Sequence, residues 1–359
     1  MLCPRLEIDL GKIDHNASHL VDLFGKKGIT VMGVTKCMLG EPRVAKILCD
    51  AGVPFIGDSR IENIRRLRRG TLKTVFVLLR SPMLSQVDEV VEFADISVNT
   101  EKSVLQALSA AACSMHKTHQ VMLMVELGDL REGVPADELH DMVAEVIRLP
   151  GLELVGLGTN LGCIGGVSPN AEKMSRLSRL AQEIEERFGL ELKIVSGGNS
   201  ANHDWFVRSK NVGRINNLRI GEMLFLGRET LSYRPVHGLF TDAVTLVAEV
   251  IECKRKDSVP NGTIHSDAFG QIPQFKDRGR IRRAILGLGR QDVRVEGLTP
   301  CMKTEILGSS SDHVVISAEE TGVKVGDEVR FLLDYGALLT AMTSPFVAKV
   351  FLPAVQGQR

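Results

Sequence analysis

Ile29-Thr30-Val31-Met32-Gly33-Val34-Thr35-Lys36-Cys37 is an apolar run that ends in small and polar residues, one of them a lysine. A stretch with 3.6-residue apolar spacing follows, Glu41–Ala51, and then a second apolar run, Pro54–Gly57. Runs rich in Val, Ile and Leu on both faces suit parallel strands buried on both sides. The unit recurs towards the C-terminus. Further runs are Thr74–Leu79, Asp95–Val98, Val121–Glu126, Leu154–Gly158, Leu192–Val195 and Leu218–Phe225. Between them lie helical stretches such as Glu101–Ala112, Ala136–Leu149 and Ala171–Phe188. Eight strands alternating with helices predict an α/β fold, a (β/α)8 TIM-like barrel. A doubly wound open sheet is the alternative that the same rhythm allows.

The rhythm stops near Val236. Strand-like runs follow at Asp242–Cys253, Ala284–Gly289, His313–Ser317, Glu328–Leu333 and Val347–Phe351, with turns at Asn261-Gly262 and Gly326-Asp327. Period-two alternation in Ala243–Val250 marks a half-buried strand. The expectation is a barrel over residues 1–235 and an all-β C-terminal domain over 236–359, with which the first residues can pair.

Composition removes several functions. The 359 residues carry 44 basic and 44 acidic side chains, so no charge excess points to nucleic acid or an anionic membrane. Hydrophobic content of 44% with 25% charged residues is that of a globular chain. Seven cysteines, odd in number and without a C-x-x-C pair, argue against a disulfide framework or a zinc cage. The N-terminus has no apolar signal core, and no run reaches the ~18 apolar residues of a membrane span, so a cytoplasmic protein is expected. Thirteen Phe stand against one Trp and two Tyr, Tyr233 and Tyr335.

Functional groups of a barrel gather where strands run out into the following loops. Lys36 after the first run reads either as a lysine snorkelling to solvent or as one desolvated by apolar neighbours into a nucleophile. The seventh run leads into Ser196-Gly197-Gly198-Asn199-Ser200-Ala201, where two glycines and two small donors suit a phosphate cradle or an ordinary helix N-cap. In Leu218-Arg219-Ile220-Gly221-Glu222, Arg219 points into the barrel if Leu218 and Ile220 face the helices. Strand alternation then makes Gly221 co-facial with it and Glu222 not. The fifth run ends in Glu126-Leu127-Gly128-Asp129-Leu130-Arg131, the sixth in Gly158-Thr159-Asn160. Gly156–Gly162 misses the dinucleotide fingerprint by one residue, and His15 and His19 lack a convincing metal-ligand pattern. No metal is expected.

A mouth lysine, a phosphate cradle after strand seven and a trailing β domain together resemble the alanine racemase fold group of pyridoxal-phosphate enzymes. Ser196–Ser200, Leu218–Glu222, Leu288–Val293 and Ser309–His313 are similar in wording to its ornithine racemase branch. The resemblance implies a racemase of ornithine or another basic amino acid that carries pyridoxal 5'-phosphate as an aldimine on Lys36. It implies cofactor contacts from Asn199, Ser200, Arg219, Gly221 and Tyr335. Substrate contacts are implied for Arg131 and, in a loop reaching a partner's active site, for Ser311 and Asp312. It also implies a head-to-tail homodimer.

Racemisation needs an acid/base on each face of the substrate. The stretch corresponding to the family's second base, Gly262–Phe269, has no tyrosine, which leaves His265 and Asp267 as candidates; imidazole titrates near neutrality. Same-fold alternatives are a decarboxylase, a D-amino-acid aldolase and a non-catalytic cofactor-binding protein.

Overall fold

The structure, a computed structural model, describes residues 3–353. The chain forms two compact units. One is residues 11–240; the other joins the described residues up to Leu10 with those from Thr241 onward.

Strand β1 (Arg5–Asp9) belongs to the second unit. The first unit is a closed parallel barrel of β2 (Thr30–Val34), β3 (Phe55–Asp58), β4 (Val75–Leu78), β5 (Ile96–Asn99), β6 (His119–Met124), β7 (Leu152–Gly158), β8 (Ile194–Ser196) and β9 (Asn217–Ile220). β9 pairs back onto β2, with Arg219 opposite Met32, which settles barrel over open sheet. Met32, Val77, Ile96, Val98, Met122, Met124, Val155 and Ile194 form one buried cluster, with Phe55, Val75 and Leu79 packed on it. Removing each such side chain from water contributes roughly 1.5–3 kcal/mol before chain entropy is counted.

The helices start and stop on local signals. Helix Ala171–Phe188 opens where the Asn170 side chain accepts the Lys173 amide at 2.9 Å, and it closes on Gly189 at φ 64°. The last barrel run is the one clear departure from the expected pattern. Leu218–Phe225 is not one strand: β9 ends at Ile220, and Glu222–Leu226 is a short helix. A short buried apolar run has no periodicity that separates strand from helix, and Gly221 (φ −128°, ψ −67°) makes the break. The alternation argument that placed Glu222 therefore ends at Ile220.

The second unit is built on β10 (Val244–Asp257), β11 (Arg280–Leu286), β12 (Leu298–Pro300), β13 (Ile306–Ser309), β14 (Val314–Ser317), β15 (Glu328–Leu333) and β16 (Ala348–Leu352). They order as β12-β15-β10-β11-β14-β13, while β1 pairs antiparallel to β10 and parallel to β16. β12 and β13 went unread in the sequence because they are three and four residues long and carry Pro300 and Gly308. Among the described residues, no helix is long and apolar enough to cross a membrane.

Candidate active site

The lysine turn comes first. β2 runs out at Val34, Thr35 follows, and Lys36–Met38 forms one turn of 3-10 helix. Thr35 Oγ1 donates to Asp58 Oδ2 at 2.9 Å, and Asp58 Oδ1 accepts from Asn63 Nδ2 and the Arg60 amide, both at 3.0 Å. Asp58 is fully buried, and burial pushes its carboxyl up against the opposing pull of these three donors. Gly40 closes the turn at φ 60°, where a Cβ would stand 2.7 Å from Asn63 Cβ. Backbone and side chains thus bolt the lysine-bearing turn to the loop after β3. Lys36 itself is exposed, which selects the solvent-facing of the two readings over one desolvated by apolar neighbours. Cys37 and Met38 turn into the core instead; burial lifts the Cys37 thiol to about 12, far from nucleophilic use.

The glycine loop follows β8. Gly198 adopts φ 142°, and its absent Cβ would fall 2.2 Å from Asn202 Oδ1. Asn199 and Asn202 cap each other reciprocally at the start of the Ser200–Asn202 turn. The Asn199 amide donates inside the protein, to Asn160 Oδ1 at 3.1 Å and Leu161 O at 2.9 Å, so its side chain shapes the loop. Ser200 is buried, its Oγ 3.4 Å from the Met223 amide that it accepts.

Arg219 does point inward. Its guanidinium donates to Ser196 Oγ and Thr159 O, both at 2.7 Å, and to Asn160 Oδ1 at 3.3 Å. Ser196 Oγ in turn donates to Asn217 Oδ1 at 2.9 Å. Gly158 makes room: a Cβ there would lie 2.9 Å from Met124 Sδ and 3.5 Å from Arg219 Nη1. Burial brings the guanidinium down to about 10, so it stays cationic at neutral pH. Asn160 is buried, and its Nδ2 has no partner while its Oδ1 takes two donors. Flipping the amide would set donor against donor, so the orientation is determined.

Arg131 lies in the loop after β6. It donates through Nε and Nη2 to both oxygens of Glu132 and through Nη1 to Cys163 Sγ at 3.4 Å. Asp129, buried beneath, accepts the Cys163 and Val167 amides at 3.2 and 3.3 Å and so ties this loop to residues 161–167.

The remaining sequence-derived candidates lie in the β unit. Ser311 and Asp312 are exposed in a loop where Asp312 Oδ1 accepts from Ser310 Oγ at 3.0 Å. Residues 288–293 brace that loop: Arg290 and Gln291 amides donate to Ser310 O and Ser311 O at 3.0 and 2.9 Å. Arg290 also stands 4.5 Å from the Phe269 ring centroid, which links the two loops to residues 265–271. His265 and Asp267 are exposed; Asp267 Oδ1 accepts the Phe269 and Gln271 amides, both at 2.9 Å, which hold its carboxyl below the ordinary value. Tyr335 begins a helix, Tyr335–Thr343, capped by Asp334. Among the described residues, no group of three His, Cys, Asp or Glu side chains gathers as a metal site. Asp58, Thr35, Ser196 and Asn160 went unnamed as site residues in the sequence reading, although Asp58 is a lone charge ending an apolar run.

A closed parallel barrel joined to a largely antiparallel sheet is the fold of solved alanine racemases. One from Corynebacterium glutamicum superposes with a TM-score of 0.75 at 17% identity, covering 98% of this chain and all of that one. A D-threonine aldolase from Filomicrobium marinum shares the fold at a TM-score of 0.73 and 16% identity, covering 95% and 89%. Residues 8–229 match the family model described as alanine racemase, N-terminal domain, and this chain belongs to that family. It is 42% identical to an ornithine racemase of Acetoanaerobium sticklandii over 97% of this chain and 99% of that protein. It is 40% identical to a lysine racemase of Thermotoga maritima over 99% of this chain and all of that protein.

Proposed function

We infer that this protein is an isomerase that interconverts the enantiomers of a basic amino acid, ornithine or lysine, with pyridoxal 5'-phosphate as cofactor. The observation that carries the reading is identity of 40% or more, along nearly the whole chain, to racemases of those two diamino acids.

The barrel suits the cofactor. Asn160 Nδ2 is a buried, oriented donor without a protein acceptor, a state that native structures rarely leave unexplained. Lys36, Asn199, Ser200, Arg219, Gly221 and Tyr335 would hold the group. When bound, it supplies an electron-withdrawing ring that stabilises the charge left on Cα when a proton departs.

The chain's own residues do the rest. The Lys36 amine removes or returns the α-proton on one face, positioned by the Thr35–Asp58–Asn63 tie. Arg219 offers donors only and stays positive, which discourages protonation of a neighbouring nitrogen and favours quick return of the proton to Cα. Arg131 receives the substrate carboxylate in a two-pronged grip. His265 serves as acid/base on the other face, because Asp267 spends an oxygen on two amides. A second copy of the chain, arranged head to tail, would bring His265, Ser311 and Asp312.

The test is the holoenzyme with single L-amino acids, followed by chiral chromatography and by Cα–H exchange in deuterated water. Ornithine and lysine should racemise with exchange. A protein that holds the cofactor and racemises no amino acid would overturn the reading in favour of a binding protein. Activity abolished by a metal chelator and restored by a divalent cation would favour the aldolase.

A further inference from the structure

We propose that Glu132 determines the specificity for a substrate with a distal ammonium group. The Arg131–Glu132 pair opens to take both charged ends of a diamino acid, the carboxylate on Arg131 and the side-chain ammonium on Glu132. This inference rests on the racemase reading above and names the substrate contact of that same site.

Asp129, Glu132 and Glu222 are among the acids near the barrel mouth that could receive such an ammonium; Glu126, at the end of the same run as Asp129, turns an oxygen back to the Gly128 amide of its own loop. The structure separates them. Asp129 is 1% exposed, one oxygen holds two backbone amides, and the other is sealed from solvent. Glu222 opens the helix after Gly221, and Gly221 lies so close to Val34 that a Cβ there would stand 3.3 Å from Val34 Cβ, two residues before Lys36. That is the end where the reacting carbon must lie, not a distal amine. Glu132 keeps a quarter of its side chain exposed and turns both oxygens to Arg131. Arg131 Nη1 also reaches Cys163 Sγ at 3.4 Å, so the pair lies between the loops that follow β6 and β7.

The physical consequence concerns what is left behind. When a substrate carboxylate takes Arg131, the Glu132 carboxylate loses its partner in a partly desolvated place. A neutral side chain leaves it so, and an unpaired polar group of the site is what makes such sites reject near-isosteres. An ammonium at the end of the side chain restores the ion pair, and the exchange conserves charge. Ornithine and norvaline share a carbon chain and differ in this one group.

The experiment compares wild type with Glu132→Gln, which keeps shape and removes charge, on L-ornithine and L-norvaline. The ornithine-to-norvaline ratio of kcat/KM should fall roughly 10- to 100-fold, mostly through KM for ornithine. Glu132→Asp should recover part of it. Calorimetric binding of the two amino acids to both proteins reads the same preference without turnover. An unchanged ratio, whether both substrates fall together or neither moves, would overturn the proposal, because Glu132 would then act only through Arg131. A wild-type protein that racemises neither amino acid yet binds ornithine in a Glu132-dependent way would keep this proposal and overturn the racemase reading. Loss of the binding preference as well would overturn both.

Discussion

The barrel mouth and the loops of the β unit hold their polar residues in opposite ways. At the mouth, Arg219, Ser196, Asn217, Asn160 and Asp58 are buried, anchored at strand ends and linked through two or three bonds each. In the β unit, His265 and Asp267 lie exposed on the strandless stretch between β10 and β11, where Asp267 bonds residues two to four ahead. Under the proposed function, the difference separates two tasks. A group that must meet a ligand at a set distance is built into a network whose members cannot move singly. A group that only exchanges a proton can sit on a loop and be brought into place by assembly.

The sharpest break falls on the lysine. Lys36→Ala should lower racemisation roughly 10⁴-fold or more, read by chiral chromatography, because it removes the proposed nucleophile and base together. A variant within tenfold of wild type would remove Lys36 from the chemistry. Next comes the loop. His265→Gln should reduce kcat about 10²-fold and erase one limb of its pH profile, whereas Asp267→Asn should cost less than about tenfold. Equal losses would contradict the division between them.

Smaller effects probe the supports. Asp58→Asn turns a donor towards donors; kcat should fall about tenfold with little change in KM, and the thermal midpoint should drop by a few degrees. An unaltered kcat at full stability would show that the Thr35–Asp58 tie does not position Lys36.

The smallest effect on activity, though not on folding, concerns His119. It sits buried at the start of β6, 2.8 Å from Ser97 Oγ, which also accepts from Asn99 at 3.0 Å. Burial lowers the imidazole to about 4, below its unfolded value. The folded state therefore favours neutral His119, and the unfolded chain binds the proton first. Stability from this group is complete above pH ~6.5 and is lost as pH falls towards 4, by on the order of 3 kcal/mol. Denaturant midpoints at pH 7.5 and 5 should differ less in His119→Gln than in wild type. An identical difference would remove this histidine as the source.

Elements that repeat with their own period were legible. Helix Ala171–Phe188 and strand β15 stand where apolar spacing placed them, and Lys36 and Arg219 were reached by asking what ends each buried run. The break at Gly221 was not legible, since both readings of Leu218–Phe225 bury the same residues. Asn160 was visible only as a weak strand-end residue, because its meaning comes from Arg219 and Asn199, 59 and 39 positions away.

By itself, the sequence determined the alternation of strands and helices, the lysine at the mouth and the second, β-rich unit, because each follows from local periodicity or from what ends a run. Tertiary structure alone decided that the barrel closes, that Asp58 holds the lysine turn, and that Arg219 meets Thr159 and Asn160. Burial and hydrogen bonding join residues far apart in the chain, and nothing in a local pattern records which distant partner a polar group will meet.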